Sequence, residues 1–264
     1  MKTPGQGLTR EEILHEMGFA PLWRLRTPLA ANPPGAAGQP ALAAPGEVTA
    51  DTSSSGEAAP GAAEAGRAAR IAHMDWPELQ ASVAACRACQ LCSERRQAVL
   101  GVGDVHADWL FVGEAPGAEE DARGEPFVGP AGKLLDAMLA AIDLRRGDDV
   151  YIANAVKCRP PRNRTPEAGE MAACAPYLQR QIALIQPRLI VLLGRAAAQA
   201  LLGEIGPLGS LRGRSLSFSP PDGSARPIPL VVTYHPAYLL RTLPDKAKAW
   251  EDLCRARALM RTLQ

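Results

Sequence analysis

The 264-residue chain lacks an excess charge of either sign: 29 Lys and Arg stand against 28 Asp and Glu, a formal net charge of +1. The whole-chain basic excess that usually marks a nucleic-acid-binding protein is therefore missing, although opposite charges segregated along the chain would give the same sum. Long hydrophobic runs are missing too, and none approaches the roughly 18 residues of a membrane-spanning helix. The start, Met1-Lys2-Thr3-Pro4-Gly5, has no basic-then-apolar leader, which points to the cytoplasm. Aromatic residues are scarce at 5%, whereas Gly and Pro number 24 each, so part of the chain is expected never to pack. In a reducing compartment the six cysteines suit metal ligation, reactive thiols or buried apolar positions better than disulfides.

Composition divides the chain. Of the 43 residues from 28 to 70, 27 are Ala, Gly or Pro and none is aromatic. Such a stretch buries too little apolar surface to offset chain entropy and reads as a disordered linker. Residues 1–27 precede it. There Thr9 and Glu12 fit a capping box, Ile13, Leu14 and Met17 share one helical face, and Gly18 can end the helix. This short amphipathic segment, with Trp23 behind it, suits docking on a protein partner or on its own domain.

From residue 71 to 264 the pattern is that of one α/β domain. Four apolar runs read as buried strands: Trp109–Gly113, Val150–Val156, Leu189–Leu193 and Leu230–Tyr234. Helical stretches are expected at about 131–143, 167–185, 195–202 and 245–262. The alternation argues for a mainly parallel sheet covered on both faces, with the active site beyond the carboxyl ends of its strands. Those ends read Gly113-Glu114-Ala115-Pro116-Gly117, Asn154, Gly194-Arg195 and His235-Pro236.

Cys86 and Cys89 form a C-x-x-C, followed at a distance by Cys158 and Cys174. A close pair plus two distant cysteines suffices for a four-thiolate site holding zinc or an iron–sulfur cluster, and spacing does not choose between them. Cys92 extends the first pair and its part in the site is open. Cys254, alone in the last helix, reads as a small buried apolar residue.

Four segments occur together and in order: Gly113-Glu114-Ala115-Pro116-Gly117, Pro126-Phe127-Val128-Gly129, Asn154-Ala155-Val156-Lys157-Cys158-Arg159-Pro160-Pro161 and His235-Pro236-Ala237-Tyr238-Leu239-Leu240-Arg241. As a set they resemble the family-4, iron–sulfur uracil-DNA glycosylases of the uracil-DNA glycosylase superfamily, over about residues 84–262. The resemblance implies a three-layer α/β/α fold with a central four-stranded parallel sheet, a [4Fe–4S] cluster on Cys86, Cys89, Cys158 and Cys174, and removal of uracil from DNA. It also implies a monomer.

The residue chemistry agrees with that implication. A base must leave the stack and enter a snug pocket to be cut out. Phe127 offers a flat apolar face for it. The Asn154 amide donates and accepts at once, matching O4 and N3–H of uracil and mismatching the amine of cytosine. His235 can donate to O2 as charge develops on the departing base. Glu114 is the leading candidate to orient water or stabilise the sugar cation. The turn N–H groups of Ala115 and Gly117, beside Gly113, are a second source of stabilisation. Glu120 is expected near C5 of the ring, helping to reject thymine.

Leu240 and Arg241 look like the wedge that fills the duplex when the base leaves. Lys157, Arg159, Arg162 and Arg164 place four basic residues within eight positions and are expected on phosphates. The neutral total also resolves on closer reading. Residues 104–149 carry 11 acidic and 4 basic side chains, whereas residues 157–264 carry 16 basic and 7 acidic. Two other functions compete with this one. A superfamily variant that traps DNA through a histidine is disfavoured because the loop from Arg159 to Pro166 has none. A non-catalytic metal-stabilised DNA-binding module has no need of the four pocket residues.

Overall fold

The computed structural model describes residues 60–203, 206–220 and 226–263. The amphipathic segment expected within 1–27, and the linker up to residue 59, lie outside the described residues.

Six strands form one mixed sheet: β1 (Val102–Gly103), β2 (Trp109–Gly113), β3 (Val150–Asn154), β4 (Leu189–Leu193), β5 (Leu216–Phe218) and β6 (Ile228–Thr233), in the order β1-β3-β2-β4-β6-β5. β3, β2, β4 and β6 pair in parallel, while β1 and β5 add antiparallel at the two edges. The expected four-stranded sheet is thus a six-stranded mixed one. The edge strands are two and three residues long, too short for a period-2 pattern to announce them.

The inner strands are buried on both faces, and their side chains alternate between two cores. Trp109 and Phe111 of β2, with Leu189, Val191 and Leu193 of β4, join one core; Leu110, Val112, Ile190 and Leu192 join the other. The first core is roofed by α4 (Pro130–Ala140) and α9 (Lys246–Leu263), through Leu135, Leu139, Leu253, Ala256 and Met260. The second is roofed by α5 (Ala168–Ile185), α6 (Arg195–Leu202) and α7 (Leu208–Leu211). Helix α5 shows why it is a helix: Cys174, Tyr177, Leu178, Gln181, Ile182 and Ile185 recur at 3–4-residue spacing and are all buried.

Helix α1 (Pro60–Ala72) overlaps the stretch that composition assigns to the linker. Alanine-rich chain has high helix propensity, and tertiary contacts fix it here. Ile71 is buried, the Arg67 guanidinium donates to Ala173 O at 2.8 Å, and the same cation lies 4.9 Å from the Tyr177 ring centre. Helix α2 (Trp76–Ala85) follows, started by a capping box in which Asp75 and Glu78 satisfy each other's backbone N–H. The D-x-x-E pattern was the available signal for it. With Leu79, Val83 and Leu91 these helices form a third core that also contains Cys158 and Cys174. Two short helices, α3 (Ala118–Arg123) and α8 (Pro236–Leu239), follow strand ends directly. No helix among the described residues is long and apolar enough to cross a membrane.

Candidate active site and cysteine-lined cavity

Parallel pairing sets the strand ends level. Gly113 is in register with Asn154, and Leu193 with Thr233, so the segments after all four inner strands meet at one edge of the sheet. They enclose a cleft of about 650 Å³ lined by Glu114, Phe127, Asn154, Tyr234 and His235 among others. A larger groove of about 730 Å³, beside β1 and α2, contains none of these residues.

Asn154 sits at the cleft floor, 2% exposed, and its side-chain Oδ1 has no hydrogen-bond partner among the described residues. A buried acceptor left unpaired costs free energy, and the cleft is where a ligand N–H would satisfy it. Gly113 makes room for the amide: a Cβ there would stand 2.4 Å from Asn154 Oδ1 and 2.5 Å from Phe127 Cζ. The Phe127 ring is buried and stacks on the His235 imidazole, with centres 5.4 Å apart. Phe127 and Asn154 therefore flank the same space.

His235 caps the first turn of α8 by accepting from Ala237 N–H through Nδ1, at 3.1 Å. Burial, reinforced by the Arg241 cation, lowers its pKa to about 4. A neutral imidazole whose Nδ1 accepts carries its proton on Nε2, so His235 is a fixed donor at neutral pH. Burial raises the Glu114 carboxyl above its ordinary value, partly offset by a hydrogen bond with Thr165. Its backbone oxygen accepts from Val156 N–H at 3.1 Å, tying the turn to the segment after β3.

Glu120 lines the cleft and is fully engaged there. Its carboxylate accepts from Gly117, Val128 and Gly129 N–H at 3.1, 3.0 and 3.2 Å, so it braces two loops while lining the cleft. The same bond engages the Gly117 N–H, which cannot then serve a ligand. Ala115 lines the cleft, and its N–H has no partner among the described residues.

The basic run departs further from the expected phosphate contacts. Lys157 is 1% exposed; Nζ donates to Asn154 O at 2.8 Å and to Gln181 Oε1 at 2.5 Å. Burial lowers its pKa to about 8. Its backbone oxygen accepts from Val99 N–H at 2.7 Å. Arg164 is held in a two-bonded ion pair with Glu170, at 2.7 and 2.8 Å. Arg159 donates to Asn163 Oδ1 at 2.7 Å. Arg162 alone of the four is exposed, with no side-chain hydrogen-bond partner among the described residues. Arg241 is exposed as well, and Leu240 is 42% and Leu243 60% exposed, two of the three large exposed apolar residues among those described. Sequence reading missed Leu243. The segment carrying it is braced by Tyr238 OH, which donates to Asp245 at 2.6 Å.

Cys86, Cys89, Cys158 and Cys174 line one cavity, whereas Cys92 lies on the larger groove next to it. Three of the four sulfurs accept hydrogen bonds: Cys158 from Arg95 at 2.8 Å, Cys174 from Lys157 N–H at 3.3 Å, and Cys86 from Arg67 at 3.7 Å. As the side chains stand, no group of three or more His, Cys, Asp or Glu among the described residues could hold a metal ion. Burial pushes the Cys174 thiol up to about 12. Cys254 is exposed, contrary to expectation. It lies off the α9 face that buries Ala249, Leu253, Ala256 and Met260.

A sequence model described as the uracil DNA glycosylase superfamily matches residues 100–254. The chain belongs to that superfamily. Within it, the chain is 42% identical over 184 residues to a type-4 uracil-DNA glycosylase of Pyrobaculum aerophilum, covering 68% of this chain and 92% of that protein. It is 41% identical over 179 residues to a type-4 enzyme of Thermotoga maritima, covering 67% and 90%. A type-5 uracil-DNA glycosylase of Thermus thermophilus is 38% identical over 156 residues, covering 52% and 68%.

Proposed function

We propose that this protein is a monofunctional uracil-DNA glycosylase of the type-4 kind. It draws uracil out of DNA, hydrolyses the N-glycosidic bond, and releases the free base from an abasic site. The observation that carries the reading is the buried, unpartnered Asn154 amide oxygen at the floor of a cleft walled by Phe127 and His235. Uracil presents N3–H to Asn154 Oδ1 and O4 to its Nδ2–H. Cytosine presents an acceptor and an amine in those places, leaving both partners unpaired.

The N1–C1′ bond breaks with its electron pair going to the base, where charge spreads onto O2. His235 Nε2–H donates to O2, a fixed neutral dipole that needs no reorganisation. Positive charge gathers at C1′ and O4′ of the sugar. The Glu114 carboxylate stabilises it and takes the proton of the water whose oxygen adds to C1′. Glu114 then gives its proton up to solvent and N1 of the uracil anion takes one from solvent on release, so atoms and charge balance. Beyond the base, Leu240 and Leu243 fill the vacated stack, and Arg162 meets the phosphates together with Arg241, which also lines the cleft.

The four-cysteine cavity suits a [4Fe–4S] cluster. Four thiols surround one space, and N–H donors to three of the sulfurs would offset thiolate charge. Bound there, the cluster would supply a covalent tie between the loop after α2, the loop after β3, and α5. Substituting Cys158 by Ala is expected to abolish bound iron and acid-labile sulfide and to weaken DNA binding about tenfold, by loosening the loop that carries Arg162. Full DNA affinity in a stably cluster-free protein would refute the tie.

The direct test uses single- and double-stranded oligonucleotides carrying one uracil, followed by alkali. Cleavage at the uracil position is the expected result. No cleavage by protein that carries its cluster would overturn the enzymatic reading, and an adduct surviving denaturation would favour covalent trapping.

A further inference from the structure

Phe127 holds an unusual backbone. Its φ is 55°, a left-handed value that a bulky aromatic residue seldom adopts. Released from its surroundings, the residue would relax to negative φ and swing the ring away from His235. Something must hold it there.

Two contacts converge on its carbonyl group. On one side α4 presents Gly132, where a Cβ would lie 1.8 Å from Phe127 O, so only glycine fits. On the other side Arg146, in the loop between α4 and β3, donates NH1 to Pro126 O and NH2 to Phe127 O, each at 2.8 Å. The guanidinium is fixed in turn by Asp136 of α4, whose Oδ1 accepts from Nε at 3.1 Å and NH2 at 2.9 Å. All three nitrogens of Arg146 are thus engaged, across gaps of 10 to 20 residues, and the side chain is 24% exposed. A planar fork bonding two successive carbonyls fixes the peptide plane between them, which a single ammonium cannot do.

We propose that Arg146, braced by Asp136, is a positioning residue that sets the Phe127 face against which the base stacks. This rests on the uracil-binding reading of the cleft. Neither residue touches the cleft space itself, and Arg146 lies in the acidic part of the domain, away from the basic loops. Its effect is therefore on the base and not on the phosphate backbone.

The test compares wild-type protein with Arg146→Ala, Arg146→Lys and Phe127→Ala, each loaded with its cluster. Arg146→Ala is expected to weaken competitive inhibition by free uracil about tenfold and to lower kcat by a similar factor. Its affinity for an abasic-site oligonucleotide should stay within about twofold of wild type. In the Phe127→Ala background the Arg146 substitution should add little to the uracil constant, because the ring it positions is gone. Should Arg146→Ala fail to fold, Arg146→Lys keeps the charge, loses the fork, and should show the same loss in smaller degree. Unchanged uracil inhibition, or a loss that persists in full without Phe127, would overturn the proposal. An inactive wild-type protein would instead overturn the glycosylase reading, so the two failures are separable.

Discussion

Asn154→Ala is expected to lower kcat/KM on uracil-containing DNA by about 10³-fold. The size follows from the geometry. The amide lies at the end of β3, buried, with its backbone oxygen held by Lys157 Nζ and its side-chain oxygen unpartnered. Nothing else described at the floor offers both a donor and an acceptor on one rigid group. Removing it leaves two polar edges of the base unpaired in a site shielded from water, the situation in which hydrogen-bond discrimination is largest. Affinity for an abasic-site oligonucleotide should hardly change, because the phosphate contacts lie on other segments. Steady-state kinetics beside a fluorescence-anisotropy titration would check both parts. A variant retaining more than about a tenth of the wild-type rate would remove Asn154 from base recognition.

His235→Ala should cost about 10² to 10³ in kcat, the range for losing one preorganised donor to a developing anion. Its pH behaviour is the sharper check. Burial and the Arg241 cation lower the His235 pKa to about 4. The wild-type rate should therefore show no inflection near the ordinary histidine value of about 6.5. Protonation would also set an Nδ1–H against the Ala237 N–H that Nδ1 now accepts. The linked stability has a definite sign. Between about 6.5 and 4 the unfolded chain binds a proton that the folded one refuses, so stability falls as pH falls through that window. The acid limb of activity is expected from Glu114, the proposed base, whose carboxyl burial raises. Activity should fade as that group takes up its proton, and His235→Ala should leave the limb in place. A wild-type profile breaking near pH 6.5, and losing that break in His235→Ala, would show that the imidazole titrates and is not the fixed neutral donor described here.

Much of this was legible in the sequence, for definable reasons. β2 and β4 begin and end where their apolar runs do, because strands buried on both faces need uninterrupted apolar residues. Asn154, Glu114 and His235 come together because parallel pairing makes adjacency at strand ends a consequence of strand order, whereas Phe127, between α3 and α4, is set by contacts with Gly132 and Arg146. The short edge strands and α1 were not legible, since their stability comes from partners far along the chain. Arg146 carried no local signal at all, because its partners Pro126, Phe127 and Asp136 are 10 to 20 residues away.

The basic run after β3 marks the boundary between the two kinds of information. By itself the sequence determined the α/β layout, the composition of the cleft and the four cysteines, because each is written in periodicity or in residue types that chemistry requires. The destinations of Lys157, Arg159, Arg162 and Arg164 are not written there. All four look like solvent-facing cations, yet only the tertiary structure turns Lys157 inward beneath Asn154, pairs Arg164 with Glu170 and leaves Arg162 exposed. A charged side chain's role depends on which partners come within about 3 Å of it, and chain topology brings those partners from residues distant in sequence.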